Sequence, residues 1–253
     1  MMKRVFISVF LFSALAVALC FTDAFAMWAK TYGTTWSDGG ALLPQPSGNC
    51  YAWMTAGDPS ATGMRRCYLL RLDTKGAPLW TRRISIGDYD WFVPLPLSES
   101  ELLITGTTKA GKDDPGDIVW AKFTVDPATG AFTPIFQKRF GGARDEDAGV
   151  LPTEDGGFLL EGSTTSYGPS ESDRDILLIK VGASGGIQWA KVFHYGDNDT
   201  SAAVAEIPGG YVMTANVTAD SSILAAKLDS SGEPQWAKLY GPADDTAVSA
   251  VVH

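Results

Sequence analysis

The stretch from residue 147 to residue 193 decides the fold. It reads DAGVLPT (147–153), a turn EDGG, FLLEGST (158–164), a polar loop, DILLIKVG (175–182), a turn ASGG, and IQWAKVF (187–193). Four short runs rich in aliphatic and aromatic residues are separated by Gly, Ser and Asp punctuation, which is the signature of consecutive strands. No segment holds a helical period over ten residues. The spacing predicts a four-stranded antiparallel meander of about 50 residues, with strands A, B, C and D in chain order.

The same unit recurs along the chain. WAK followed by an aromatic and a glycine appears at 28–33, 189–196 and 236–241. The aromatic anchors of strand D are Trp28, Trp80, Phe136, Trp189 and Trp236, spaced 52, 56, 53 and 47 residues apart. Two residues after each anchor stands a cation: Lys30, Arg82, Lys138, Lys191 and Lys238. A glycine follows, then an acidic patch, as in Asp88/Asp90, Asp145/Asp147 and Asp197/Asp199. A period of this length means a repeat array. Four-stranded units at this period predict an all-β chain, a β-propeller built from four-stranded antiparallel blades. Strand A reads GGALL, DAGVL, SAAVA and TAVSA in four units, small residues suited to a crowded inner strand, whereas the second unit reads DWFVPL. The units fall at about 28–84, 85–140, 141–193 and 194–240, with a partial one at 241–253.

Ahead of the array, Lys3 and Arg4 precede an apolar run from Val5 to about Leu19, then Ala24-Phe25-Ala26. This is the layout of a secretory signal peptide over 1–26, leaving 27–253 as the repeat domain, secreted, periplasmic or on the cell surface. Removing Lys3, Arg4 and Asp23 from a chain with 20 basic and 29 acidic side chains leaves a net charge of −10. That sign repels phosphate backbones and argues against nucleic acid as a partner. No second apolar run reaches spanning length, so no membrane span is expected after cleavage.

The strand count predicts four complete blades plus a partial fifth, in an open or incomplete ring. There are five D and five A strands but only four B and four C strands, so residues 28–33 and 245–252 should not pair in an ordinary blade, and the natural product should run past 253 residues. Two cysteines remain, Cys50 and Cys67. An export setting favours a disulfide, but hairpin register sets Cys67 opposite Thr55 or Ala56, about 17–20 Å from Cys50. Strand C carries Arg71, Lys122, Lys180 and Lys227 among apolar neighbours, and a charge there needs a partner. The expected one is the Asp patch that opens a neighbouring strand A.

W-x-K-x-Y/F-G-G, D-x-A, D-G-G-F, G-x-T and D-I-L-L-I-K-V together resemble the bacterial secreted β-propeller repeats of the SBBP type, over essentially all of 28–253 and best at 141–193. The resemblance implies a surface or secreted propeller and brings no catalytic residues. More distantly, LDTKGAPLW (72–80) and LDSSGEPQW (228–236) are similar to quinoprotein-type propeller repeats, in which the Trp docks between blades.

Candidate chemistry is sparse. Gly182-Ala183-Ser184-Gly185-Gly186 fits G-x-S-x-G, yet it aligns with the C–D turns of sister units, and only His194 and His253 are available as bases. A nucleophile elbow needs a strand-to-helix turn. The Asp pairs offer calcium-type oxygen ligands but equally cap turns. No residue is assigned as catalytic, cofactor-binding or metal-ligating, and calcium is the one ion kept open. The B–C loops, 57–66, 106–117, 163–174 and 216–222, vary most and are where a scaffold places specificity; Tyr167 stands out in the longest. The expected function is an exported, non-enzymatic module that binds a protein or glycan. The alternatives are a glycan-acting enzyme using channel carboxylates such as Glu161 and Glu206, or a structural repeat segment of a larger surface protein.

Overall fold

Hydrophobic runs of six to nine residues bounded by Asp- and Gly-containing turns fold here as the strands of four sheets, and no helix forms among the described residues. The structure is a computed structural model that describes residues 16–17, 31–32, 39–57, 65–86, 89–110, 113–169, 173–218 and 222–241. Near the N-terminus β1 (Ala16–Val17) pairs antiparallel with β2 (Thr31–Tyr32). The first sheet holds β3 (Gly39–Pro44), β4 (Cys50–Gly57), β5 (Arg65–Leu72) and β6 (Pro78–Ile84). The second holds β7 (Tyr89–Pro96), β8 (Glu101–Lys109), β9 (Asp117–Val125) and β10 (Phe132–Phe140). The third holds β11 (Glu146–Pro152), β12 (Phe158–Thr164), β13 (Asp175–Val181) and β14 (Ile187–Phe193). The fourth holds β15 (Thr200–Ile207), β16 (Gly210–Val217), β17 (Ser222–Asp229) and β18 (Pro234–Tyr240). Each sheet is a simple antiparallel meander in chain order. Sixteen strands in four such sheets fit a propeller-like fold, with no closed ring detected among the described residues. The stretch 245–252, expected not to pair with 28–33, lies outside them.

Sheets stack in sequence. The first strand of each packs on the middle strands of the one before: β7 on β4 and β5, β11 on β8 and β9, β15 on β12 and β13. Three apolar clusters fill the interfaces. Tyr51, Leu69 and Trp80 meet Phe92, Leu102 and Ile104 between the first two sheets. Leu103 and Trp120 meet Phe158 and Ile179 at the next interface, and Leu159 and Leu178 meet Tyr211 and Met213 at the third. Every residue of β13 is buried, as expected of a strand covered on both faces.

An aromatic lock repeats at each interface. The strand D ring of one sheet lies over the C–D turn glycine of the next. A Cβ placed on Gly130 would sit 2.6 Å from the Trp80 ring, one on Gly185 2.6 Å from the Phe136 ring, and one on Gly232 2.9 Å from the Trp189 ring. These glycines have φ of 70°, 82° and 79°, where a side chain is strained. The indole N–H of Trp80 donates to Pro127 O at 2.9 Å, and that of Trp189 to Ser230 O at 3.1 Å. In two of these turns an Asp holds the shape: Asp126 Oδ1 accepts from Ala128 N and its Oδ2 from the Thr129 hydroxyl, and Asp229 Oδ1 accepts from Ser231 N and Glu233 N; Asp73 does the same in the first sheet's turn. Of the three WAK copies, the one at 189–191 thus lies on an outer strand whose ring joins sheet to sheet, while Trp28 lies outside the described residues. The ring is buried in Trp80 and Phe136, half-buried in Trp189, and 43% exposed in Trp236.

Two expectations of detail meet different outcomes. Cys67 pairs with Thr55 and Cys50 with Leu72, so the two buried thiols sit far apart in register and form no bond to each other. The strand C cations do find carboxylates, but not in the patches that open strand A. Arg71 bonds Glu99 at 3.1 Å and Pro127 O at 2.6 Å. Lys122 pairs with Glu101 at 3.2 Å, and Lys180 with Asp155 at 2.8 Å and Thr153 Oγ1 at 3.0 Å. The acids lie in or next to A–B turns, at the same end of the sheet as the late strand C position of each cation, whereas the Asp patches lie at the opposite end. Lys227 has no carboxylate partner among the described residues.

Candidate functional site

Two features lie between neighbouring sheets. The first is a groove of about 430 Å³ between the second and third sheets, lined by Trp91, Val93, Gly106, Thr107, Asp147, Ala148 and Gly149. Trp91 and Val93 belong to β7 and are 51% and 39% exposed. Glycine shapes the backbone here: a Cβ on Gly106 would lie 1.9 Å from Trp91 O, and one on Gly162 1.9 Å from Asp147 O, so strand B passes too close to strand A for any side chain. The polar wall is connected. Asp147 Oδ1 accepts from Ser163 N at 3.1 Å and from its hydroxyl at 2.8 Å, and Asp147 Oδ2 accepts from Arg174 at 2.6 Å. Thr107 donates its hydroxyl to Glu146 O at 3.2 Å, and Lys109 reaches Asp145 at 2.7 Å, so the two sheets are tied across the groove. The Lys109 ammonium holds the Asp145 carboxyl below the usual range.

The second feature lies between the third and fourth sheets. Asp175 begins β13, His194 follows β14, and Asp199 precedes β15. Both carboxylates are fully buried. His194 Nδ1 lies 2.7 Å from Asp175 Oδ1, a bond that raises the imidazole pKa. Asp199 Oδ2 accepts from Tyr195 N at 2.6 Å and Gly196 N at 3.1 Å, while burial pushes its carboxyl up. The other two oxygens, Asp175 Oδ2 and Asp199 Oδ1, are buried with no hydrogen-bond partner. The corresponding acids one interface earlier are satisfied: Asp117 pairs with Arg139, and Glu146 accepts from Gly142 N and the Thr164 hydroxyl.

The residues singled out from sequence fall as follows. Ser184 sits in a strand-to-strand turn closed by Gly182 N to Gly186 O at 2.9 Å and Gly185 N to Gly182 O at 2.8 Å, not at an elbow before a helix. Of the Asp pairs, Asp145 and Asp147 pair with cations and Asp199 caps a turn, whereas Asp197 is outside the buried cluster. Asp88 and His253 lie outside the described residues, as do parts of all four B–C loops. Tyr167 donates its hydroxyl to Gly141 O at 2.6 Å and packs against Phe140. Glu206 accepts from Glu154 N at 2.7 Å, and the Glu161 carboxylate lies beside Gly149. Sequence reasoning missed Trp91 and Asp175, and it weighed His194 only as a base for Ser184. The signals were there: DWFVPL breaks the small-residue rule of strand A, Asp175 repeats Asp117 at the start of strand C, and His194 stands where the second unit has Gly141.

No protein-family model matches the chain, and no curated protein matches it. Among solved structures, that of Sqt1 from Chaetomium thermophilum aligns with 84% of this chain and 74% of its own at 13% identity and a TM-score of 0.29; a likeness at that level carries no argument. No helix among the described residues is long and apolar enough to cross a membrane.

Proposed function

We propose that this chain is an exported, non-enzymatic binding module, an open arc of β-propeller blades of the secreted bacterial repeat type, which takes a glycan in the groove between its second and third sheets. The observation that carries the reading is Trp91. Its ring is half exposed on an inner strand, where the sister units have small residues. Binding sites join apolar surface to a few fixed polar groups. An indole beside a hydroxyl (Thr107) and a carboxylate–guanidinium pair (Asp147 and Arg174) offers a stacking face for a sugar ring and partners for its hydroxyls. The aromatic lock supports the blade assignment, because it repeats in register from sheet to sheet.

The test is titration of soluble oligosaccharides of glucose, N-acetylglucosamine and xylose against the full chain by calorimetry. One of them should bind, and Trp91→Ala should weaken it at least about tenfold with an unchanged melting temperature, since a half-exposed ring contributes little to stability. Absence of binding across the panel, or binding indifferent to Trp91→Ala, would overturn the reading. A second reading, a structural repeat segment of a larger surface protein, is favoured by the outer face of the fourth sheet, where β17 alternates buried and half-buried residues and Trp236 stays exposed.

A further inference from the structure

We propose that Asp175, His194 and Asp199 form a site for a first-row divalent cation, zinc by preference, that clips the third sheet to the fourth. Ligand atoms of the three residues all lie within 4.8 Å of one another. Ligands sharing one tetrahedral zinc at 2.0–2.1 Å stand about 3.3 Å apart, so rotation of the side chains closes the set. Two carboxylates fully removed from water repel each other and need a counter-charge. The turn amides and His194 satisfy one oxygen of each. Asp175 Oδ2 and Asp199 Oδ1 remain buried without a hydrogen bond; among the described residues no lysine or arginine serves them as Arg139 serves Asp117, and His194 reaches only Asp175 Oδ1. Gly168 closes over Asp175: a Cβ there would lie 1.4 Å from Oδ2. The His194 side chain is 39% exposed, which leaves an entry path and a fourth position for water.

The donor set selects the ion. Calcium takes six to eight oxygens, whereas one imidazole and two carboxylates suit zinc and its first-row neighbours. The three ligands come from two sheets, from the start of β13 and from both ends of the β14–β15 connection. Binding should therefore stabilise the interface and release protons as the ligands deprotonate.

The experiment uses the full chain stripped with a chelator and then titrated with zinc, magnesium or calcium chloride. Zinc at about a hundredfold above its Kd should raise the melting temperature by about 5–10 °C, with one zinc per chain by elemental analysis, while calcium and magnesium give no such rise. His194→Ala, at an exposed position that the fold tolerates, should lose most of the rise. Asp199→Asn should lose it as well, yet melt no lower than the parent in chelator, because the buried like charges are relieved. No zinc-dependent rise in the parent, or a full rise in both variants, would overturn the proposal. A rise with calcium but not zinc would overturn the donor assignment. A zinc-insensitive parent stabilised by Asp199→Asn would show that a shared proton, not a metal, satisfies the acids.

Discussion

Lys180 illustrates how much one side chain depends on its surroundings. It is 4% exposed among the apolar residues of β13, and its ammonium is held by Asp155, Thr153 Oγ1 and Val181 O. Unpaired, it would carry a heavy desolvation cost. The partner shows the coupling: the Lys180 hydrogen bond, then those from Thr153 and Gly157, pull the Asp155 carboxyl from 3.8 to about 2. A carboxyl depressed in the folded state stabilises above its unfolded pKa and loses that contribution as pH falls through the folded one. The window here runs from about pH 4 down to pH 2. The Asp155 side chain is half exposed, so screening keeps the effect small. Asp155→Asn should lower the melting temperature by about 2–4 °C at pH 6, and the two proteins should converge near pH 2. Thermal scans at both pH values check it, and an undiminished gap at pH 2 would show that the pair is not its source.

At the scale of elements, the turns separate conformational strain from packing. Gly156, in the A–B turn of the third sheet, has φ 78° with nothing within 4 Å of an added methyl, whereas Gly185, in its C–D turn, has φ 82° with the Phe136 ring 2.6 Å away. Alanine at either costs about 1–2 kcal/mol for the left-handed backbone. Only at Gly185 does it also collide with the ring, adding roughly 1–3 kcal/mol for overpacking. Urea titrations should show Gly185→Ala clearly the worse of the two; equal losses would mean that the ring is not seated on the turn. The turns, the strands and the interval between anchors were legible in the sequence because each rests on local chemistry: Asp and Gly at fixed offsets, β-branched and aromatic runs between them. Register within a hairpin was legible to within a residue: it placed Cys67 opposite Thr55 or Ala56, and the pair is Thr55. What crosses between sheets was not. Nothing near Arg71 in sequence points to Glu99, which belongs to the turn of the next sheet. Asp199 read as one of the turn-capping acids and Asp175 as the first residue of a strand C, until the stacking of the fourth sheet on the third buries them together.

For the whole molecule, the lock predicts a gradient of stability along the array. Trp80 is 7% exposed and hydrogen-bonded into the second sheet; Trp236, at the same place in the repeat, is 43% exposed. Strand coverage follows the same course, from β13 with every residue buried to β17 with every second residue half-buried. An array of this kind draws its stability from each unit and from its interfaces with neighbours, so equivalent residues contribute unequally. Trp80→Ala removes a buried ring from a filled interface and should cost about 3–5 kcal/mol. Trp236→Ala removes a ring with a covered side and an open one, and should cost under about 1 kcal/mol. Denaturation midpoints of both variants, followed over a hundredfold range of protein concentration, decide the matter. A small loss for Trp236→Ala at every concentration fits a fourth sheet whose outer face stays open to solvent. A loss as large as that of Trp80→Ala, independent of concentration, would mean that the ring is seated on a turn glycine of this same chain and that the arc closes. The same loss appearing only at high concentration would place the partner face on another molecule.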